Sequence, residues 1–94
     1  MTDTASFKAI IFGKVQWVSF RLFTAGRASK LLLTGYVTNL PGGKSVEVEA
    51  EGERDQLKKL VEYLEVGPPG ARVEKIDISW SEYRCKYPDF SIRY

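Results

Sequence analysis

Residues 35–51 read G-Y-V-T-N-L-P-G-G-K-S-V-E-V-E-A-E. The second half alternates strictly. Val46, Val48 and Ala50 point one way and Glu47, Glu49 and Glu51 the other, which is the period of a strand with one apolar face. Tyr36 to Leu40 forms a second short run, and Pro41-Gly42-Gly43 between the two supplies the turn chemistry of a hairpin. A hairpin by itself names no architecture, so the flanking patterns decide.

Upstream, Phe7, Ala9 and Ile11 alternate with Ile10 and Phe12, as in a strand buried on one side and partly covered on the other. From Ser19 the period changes: Phe20, Phe23, Ala28, Leu31 and Leu32 recur at helical spacings, and Gly35 is expected to close that helix in the left-handed conformation. Downstream, Gly52 ends the hairpin, and Glu53 to Val66 places Leu57, Leu60, Val61 and Leu64 on one helical face. Gly67-Pro68-Pro69-Gly70 stops this second helix. A strand follows with Ile76, Ile78 and Trp80 alternating against Asp77 and Ser79. After a polar connection, Phe90, Ile92 and Tyr94 mark a short last strand. The order β-α-β-β-α-β with an extra β predicts an α+β fold, the ferredoxin-like split β-α-β sandwich. Its sheet is expected to be antiparallel, with four to five strands and both helices on one face.

Ninety-four residues suffice for one core, so residues 1–94 read as a single domain, with 1–6 expected to be flexible. The formal net charge of +2 is no polybasic surface, and no apolar run approaches a membrane span. The N-terminus lacks signal-peptide features, and the one cysteine, Cys85, allows no internal disulfide, so the cytoplasm is the expected location. Small size without an obvious apolar patch predicts a monomer. The absence of histidine removes the usual general base, and with a single cysteine it leaves no ordinary zinc site. No metal or cofactor is therefore expected, and any chemistry must come from carboxylates, lysine, arginine, hydroxyls, amides or the substrate itself.

The first strand-to-helix connection is chemically the most suggestive. Residues 14–21 read K-V-Q-W-V-S-F-R. A helix beginning near Ser19 or Phe20 presents unpaired backbone amides, and its dipole favours an anion there. Arg21 in the first turn opposes that dipole, and its planar guanidinium suits phosphate or carboxylate. Spacing alone also allows Arg21 to be an ordinary solvated residue and Asn39 an ordinary strand-end residue.

V-Q-W-V-S-F-R, however, resembles the V-Q-G-V-G-F-R signature of the acylphosphatase family. T-G-Y-V-T-N-L-P-G-G is similar to that family's second signature, G-[WY]-V-x-N. G-P-P-G-A-R-V and the closing F-S-I-R-Y are further landmarks, so the resemblance runs from about Phe7 to Tyr94. It implies an enzyme that hydrolyses the carboxyl–phosphate bond of small acyl phosphates, releasing carboxylate and inorganic phosphate without metal or covalent intermediate. By the same resemblance, Arg21 binds the phosphoryl group, and the amides of Gln16, Trp17, Val18, Ser19 and Phe20 form its cradle. Asn39 orients the attacking water, whose proton a phosphate oxygen can take.

Trp17 stands where the signature has glycine. If that position requires positive φ, a bulky residue costs about 1–2 kcal/mol there. Three geometries are open: negative φ at Trp17, strain tolerated beside an anion, or a weakened cradle. The last corresponds to a second functional reading, a catalytically weakened or inactive acylphosphatase-like domain that binds an anion or a protein partner. An RNA-binding reading of the same element order lacks the basic and aromatic sheet face it needs, so no nucleic-acid partner is expected. Trp80, Phe90 and Ile92 are expected in the core, Glu47, Glu49 and Glu51 as an exposed row, and Cys85 as a free thiol.

Overall fold

The computed structural model describes residues 3–94. Its elements are β1 (Thr4–Lys14), α1 (Phe20–Lys30), β2 (Thr34–Asn39), β3 (Ser45–Glu53), α2 (Arg54–Val66), β4 (Arg72–Ser81) and β5 (Phe90–Arg93). They form one sheet in the order β4-β1-β3-β2-β5. The apolar alternation sets its register: Phe7 pairs with Ala50, Ala9 with Val48 and Ile11 with Val46 across β1 and β3. That face is covered by Phe20 and Ala28 of α1 and by Leu57, Leu60 and Leu64 of α2, all in one buried cluster with the strand residues. This is the two-layer ferredoxin-like arrangement.

Neighbouring strands among β1 to β4 pair antiparallel as expected, but β5 runs parallel to β2, with Val37 opposite Ile92, so the five-stranded sheet is mixed. The reason is topological. β4 runs antiparallel to β2 and sits at the opposite edge, and residues 82–89 reverse the chain as they cross. A strand reversed from β4 necessarily runs with β2.

That crossing corrects the expectation of an exposed glutamate row. Glu51 is 1% exposed. Its carboxylate accepts hydrogen bonds from the backbone N–H groups of Arg84 (2.7 Å) and Lys86 (2.8 Å). Glu49 accepts from the Tyr87 hydroxyl, and Glu47 from the Tyr36 hydroxyl at 2.5 Å. Burial and the bond to Glu47 push the Tyr36 pKa far above its ordinary value, so this hydroxyl stays a donor. Glu49 and Glu51 seat a strap across the outer face of the sheet, and Glu47 bonds Tyr36 of β2 beside it.

Other expectations also shift. Residues 4–6 belong to β1, with Ala5 and Ser6 buried and Thr4 paired to Glu53, so they are not a flexible leader; residues 1 and 2 lie outside the described residues. Trp80 is 42% exposed because β4 is an edge strand, although its ring meets Phe7 edge-on at 5.4 Å. Phe90 and Ile92 pack half-buried against the core.

Gly35 does not cap α1. It lies inside β2, where a Cβ would sit 1.9 Å from the Glu49 backbone oxygen. The helix ends earlier, at Lys30, and Leu32, the residue after its cap, adopts φ 59 and is exposed. Leu32 N–H donates to Ser29 O (3.1 Å) and Leu33 N–H to Ala28 O (3.0 Å), the paired bonds of a Schellman end.

Because leucine is disfavoured in the left-handed region and its side chain here is in water, Leu32→Gly should raise unfolding free energy by about 1 kcal/mol. A urea midpoint that does not rise would contradict that. Glu51→Gln replaces an acceptor with a donor facing two N–H groups and should cost about 1–3 kcal/mol by the same measurement.

Candidate functional site

Five residues, 15 to 19, connect β1 to α1. Both ends are pinned, since Val15 and Phe20 are buried in the core. Between them the chain turns sharply: Trp17 has φ 64 and Ser19 φ 60. Of the geometries open for Trp17, negative φ is therefore excluded. The indole is 96% exposed and stands at the rim, leaving the cradle unfilled. Ser19 occupies the N-cap position in the left-handed conformation with no side-chain cap bond, and its carbonyl accepts from Phe23 N–H at 2.9 Å.

That bond is the first of the helix. Among the described residues, the amides from Gln16 to Leu22 form no backbone hydrogen bond in the turn. Left-handed residues interleaved in such a turn aim successive N–H groups into one concavity, a geometry that favours an anion. The first turn of α1 has no acidic residue to compete for them.

Arg21 is half-buried beside this concavity. Its Nη1 lies 3.5 Å from the Arg93 carbonyl oxygen, and its guanidinium is 4.5 Å from the centroid of the Tyr94 ring. β5 thus holds the cation from one side and leaves the rest of the fork for a ligand.

Asn39 comes from the end of β2. Strand alternation puts it on the same face as Gly35 and Val37, the helix-covered one, opposite Val46. Its Oδ1 is buried and has no partner among the described residues. Such an atom costs about 1–3 kcal/mol if left unpaired, so it calls for a partner such as water or a ligand.

The side chain of Gln16 joins the two parts. Its Nε2 donates to Leu40 O and to Ser45 O, both at 2.9 Å. Leu40 follows Asn39 directly, and its own N–H donates to Ser45 O at 3.1 Å. The turn before α1 is therefore stapled to the β2–β3 hairpin.

A cleft of about 390 Å³ brings together Gln16, Trp17, Ser19, Phe20, Arg21 and Asn39. Val18 is the exception among the expected residues: it does not line the cleft, and its side chain packs against the core. Leu22, Ile92 and Tyr94 also line the cleft and were not anticipated. Leu22 neighbours Arg21 on α1 and was open to inspection. The other two depended on the parallel pairing of β5, for which the sequence carries no local signal. Among the described residues, no group of His, Cys, Asp and Glu has the arrangement of metal ligands.

The model of a family described as acylphosphatase matches residues 7–92. A Dehalococcoides mccartyi protein named acylphosphatase is 47% identical over 87 residues, 93% of this chain and 96% of the relative. The crystal structure of an acylphosphatase from Bacillus subtilis is similar with a TM-score of 0.91 at 36% identity, covering 96% of this chain and 99% of that one. An acylphosphatase structure from Coxiella burnetii gives a TM-score of 0.89 at 37% identity, over 97% and 94% of the two chains.

Gln16→Ala removes both staple bonds and leaves Leu40 O with no side-chain donor. It should lower unfolding free energy by about 1–3 kcal/mol in a denaturant titration, and an unchanged midpoint would show that the staple contributes nothing.

Proposed function

The chain belongs to the acylphosphatase family, and from that premise we propose how its residues divide the reaction. The activity itself is hydrolysis of the carboxyl–phosphate bond of acyl phosphates, giving carboxylate and inorganic phosphate. In our assignment the amides of residues 16–20 and the guanidinium of Arg21 hold the phosphoryl oxygens. The amides are fixed in advance by the turn, so they need no reorganisation when charge develops.

Asn39 holds the attacking water. A neutral amide can accept from water without repelling an anionic substrate, as an aspartate would. The water oxygen attacks phosphorus, the bond from phosphorus to the acyl oxygen breaks, and the electron pair leaves with the carboxylate. One water proton passes to a phosphoryl oxygen, so an acyl phosphate dianion and water become a carboxylate and dihydrogen phosphate. The good leaving group makes positioning and charge stabilisation sufficient. This account uses no histidine and no metal.

The observation that carries the assignment is the buried, unpartnered Oδ1 of Asn39 in the same cleft as Arg21 and the free amides. The solvent-facing indole of Trp17 also favours turnover over an inactive relative, because it does not occupy the cradle.

The same reading extends to the setting: one domain over residues 1–94, a cytoplasmic monomer whose partners are acyl phosphate and phosphate, without nucleic acid or membrane. The small net charge supports it. Consistent with it, no helix among the described residues is long and apolar enough to cross a membrane.

With benzoyl phosphate as substrate, Arg21→Ala and Asn39→Ala should each lower kcat/KM by about a hundredfold to a thousandfold. Their unfolding midpoints should stay near that of the unsubstituted chain, since Arg21 opposes the helix dipole and Asn39 has no partner to lose. Activity within about tenfold of the unsubstituted chain in either variant would remove that residue from the mechanism.

A further inference from the structure

Large apolar side chains scattered singly over a surface need no explanation. Three of them here are not scattered. Trp17 and Tyr94, each 96% exposed, and Leu22, 67% exposed, all line the cleft that holds Arg21 and Asn39. They come from three separate elements: the turn before α1, α1 itself and the residue after β5. The base of the cleft is built for an anion and its rim is built from hydrocarbon and aromatic rings.

Two features show that the rim is held in place. Tyr94 stacks its ring on the guanidinium of Arg21, 4.5 Å from the centroid, which fixes an aromatic face beside the cation. Trp17 keeps φ 64, a conformation that a bulky residue adopts at a cost, and the resulting backbone course carries the indole outward to the cleft edge. A glycine would meet the same backbone demand without strain. The tryptophan therefore adds something at the rim that the turn does not require.

A ligand that matches this site is amphiphilic, with a phosphoryl end for the amides and Arg21 and an apolar body reaching outward. We propose that the Trp17–Leu22–Tyr94 rim is an acyl-group subsite that makes this chain favour acyl phosphates with bulky apolar or aromatic acyl groups, with Trp17 and Leu22 as specificity-determining residues. The proposal rests on the acylphosphatase reading and goes beyond it in naming the substrate class. An acetyl group is too short to cover the rim, whereas a phenyl ring attached to the carboxyl carbon can lie against the indole and the Leu22 methyls.

Contacts to the acyl end are made equally in the ground state and in the transition state, because the reacting bond lies at the phosphoryl end. Their loss should raise KM and leave kcat little changed. The test compares kcat/KM for benzoyl phosphate and acetyl phosphate in the full chain, in Trp17→Gly and in Leu22→Ser. Both substrates carry the same phosphoryl group, so the change in their ratio cancels any change in the cradle, including relief of strain at position 17. It also cancels the intrinsic difference in reactivity between the two substrates.

The ratio of benzoyl to acetyl phosphate should fall about fivefold in each variant, mainly through the KM for benzoyl phosphate. Leu22→Ser changes an exposed helical side chain without touching the strained turn, so it reports on the rim alone. An unchanged ratio in both variants, with both substrates still hydrolysed, would overturn the acyl subsite and leave the rim as a contact surface for a macromolecule. If the unsubstituted chain hydrolysed neither substrate, the reading beneath this proposal would fall and the proposal with it.

Discussion

The carboxamide of Gln16 holds two segments together. On one side is the turn before α1, with left-handed residues at Trp17 and Ser19. On the other is the hairpin loop that begins just after Asn39. Two bonds of 2.9 Å, to Leu40 O and Ser45 O, set the position of the free amides relative to Asn39. The magnitudes are matched: each left-handed non-glycine residue costs about 1–2 kcal/mol, and each hydrogen bond returns about 0.5–1.5 kcal/mol. Burial of Val15 and Phe20 at the ends of the turn supplies the remainder of the constraint. The cradle is therefore a strained segment held by its surroundings, as expected where binding groups must be fixed before the ligand arrives.

The far face of the sheet contributes to the site through topology. Glu51 and Glu49 accept hydrogen bonds from Arg84 N–H, Lys86 N–H and the Tyr87 hydroxyl, and so provide a seat for the crossing chain. The crossing delivers β5 to the free edge of β2, with Thr38 opposite Arg93. The Arg93 carbonyl and the Tyr94 ring then meet Arg21. Carboxylates on the far face of the sheet thus help to orient Arg21 in the cleft on the other side.

The economy of the site follows from the substrate. An acyl phosphate already contains a good leaving group and oxygens able to take a proton. In the division of roles we propose, fixed donors, one cation and one neutral group for water suffice, and a chain without histidine can supply them.

Alternation in β3, the heptad-like face of α2 and the Pro41-Gly42-Gly43 turn are local patterns, and periodicity alone determined from them the element order, the split β-α-β layering and the apolar face of the sheet. That Arg21 and Asn39 face one cleft was legible because they sit in two short motifs at the ends of elements, where strand alternation and helix polarity dictate direction. Other features depend on partners far away in the chain. Glu51 looked solvated because its partners are backbone amides more than thirty residues later. Gly35 looked like a helix cap because a close approach to Glu49 O across the sheet leaves no mark in local sequence. The parallel pairing of β5, the staple from Gln16 and the gathering of Trp17, Leu22 and Tyr94 on one rim were likewise decided only by tertiary structure. Each is a contact between elements whose relative placement is set by packing of the whole core, and no window of sequence contains both sides of it.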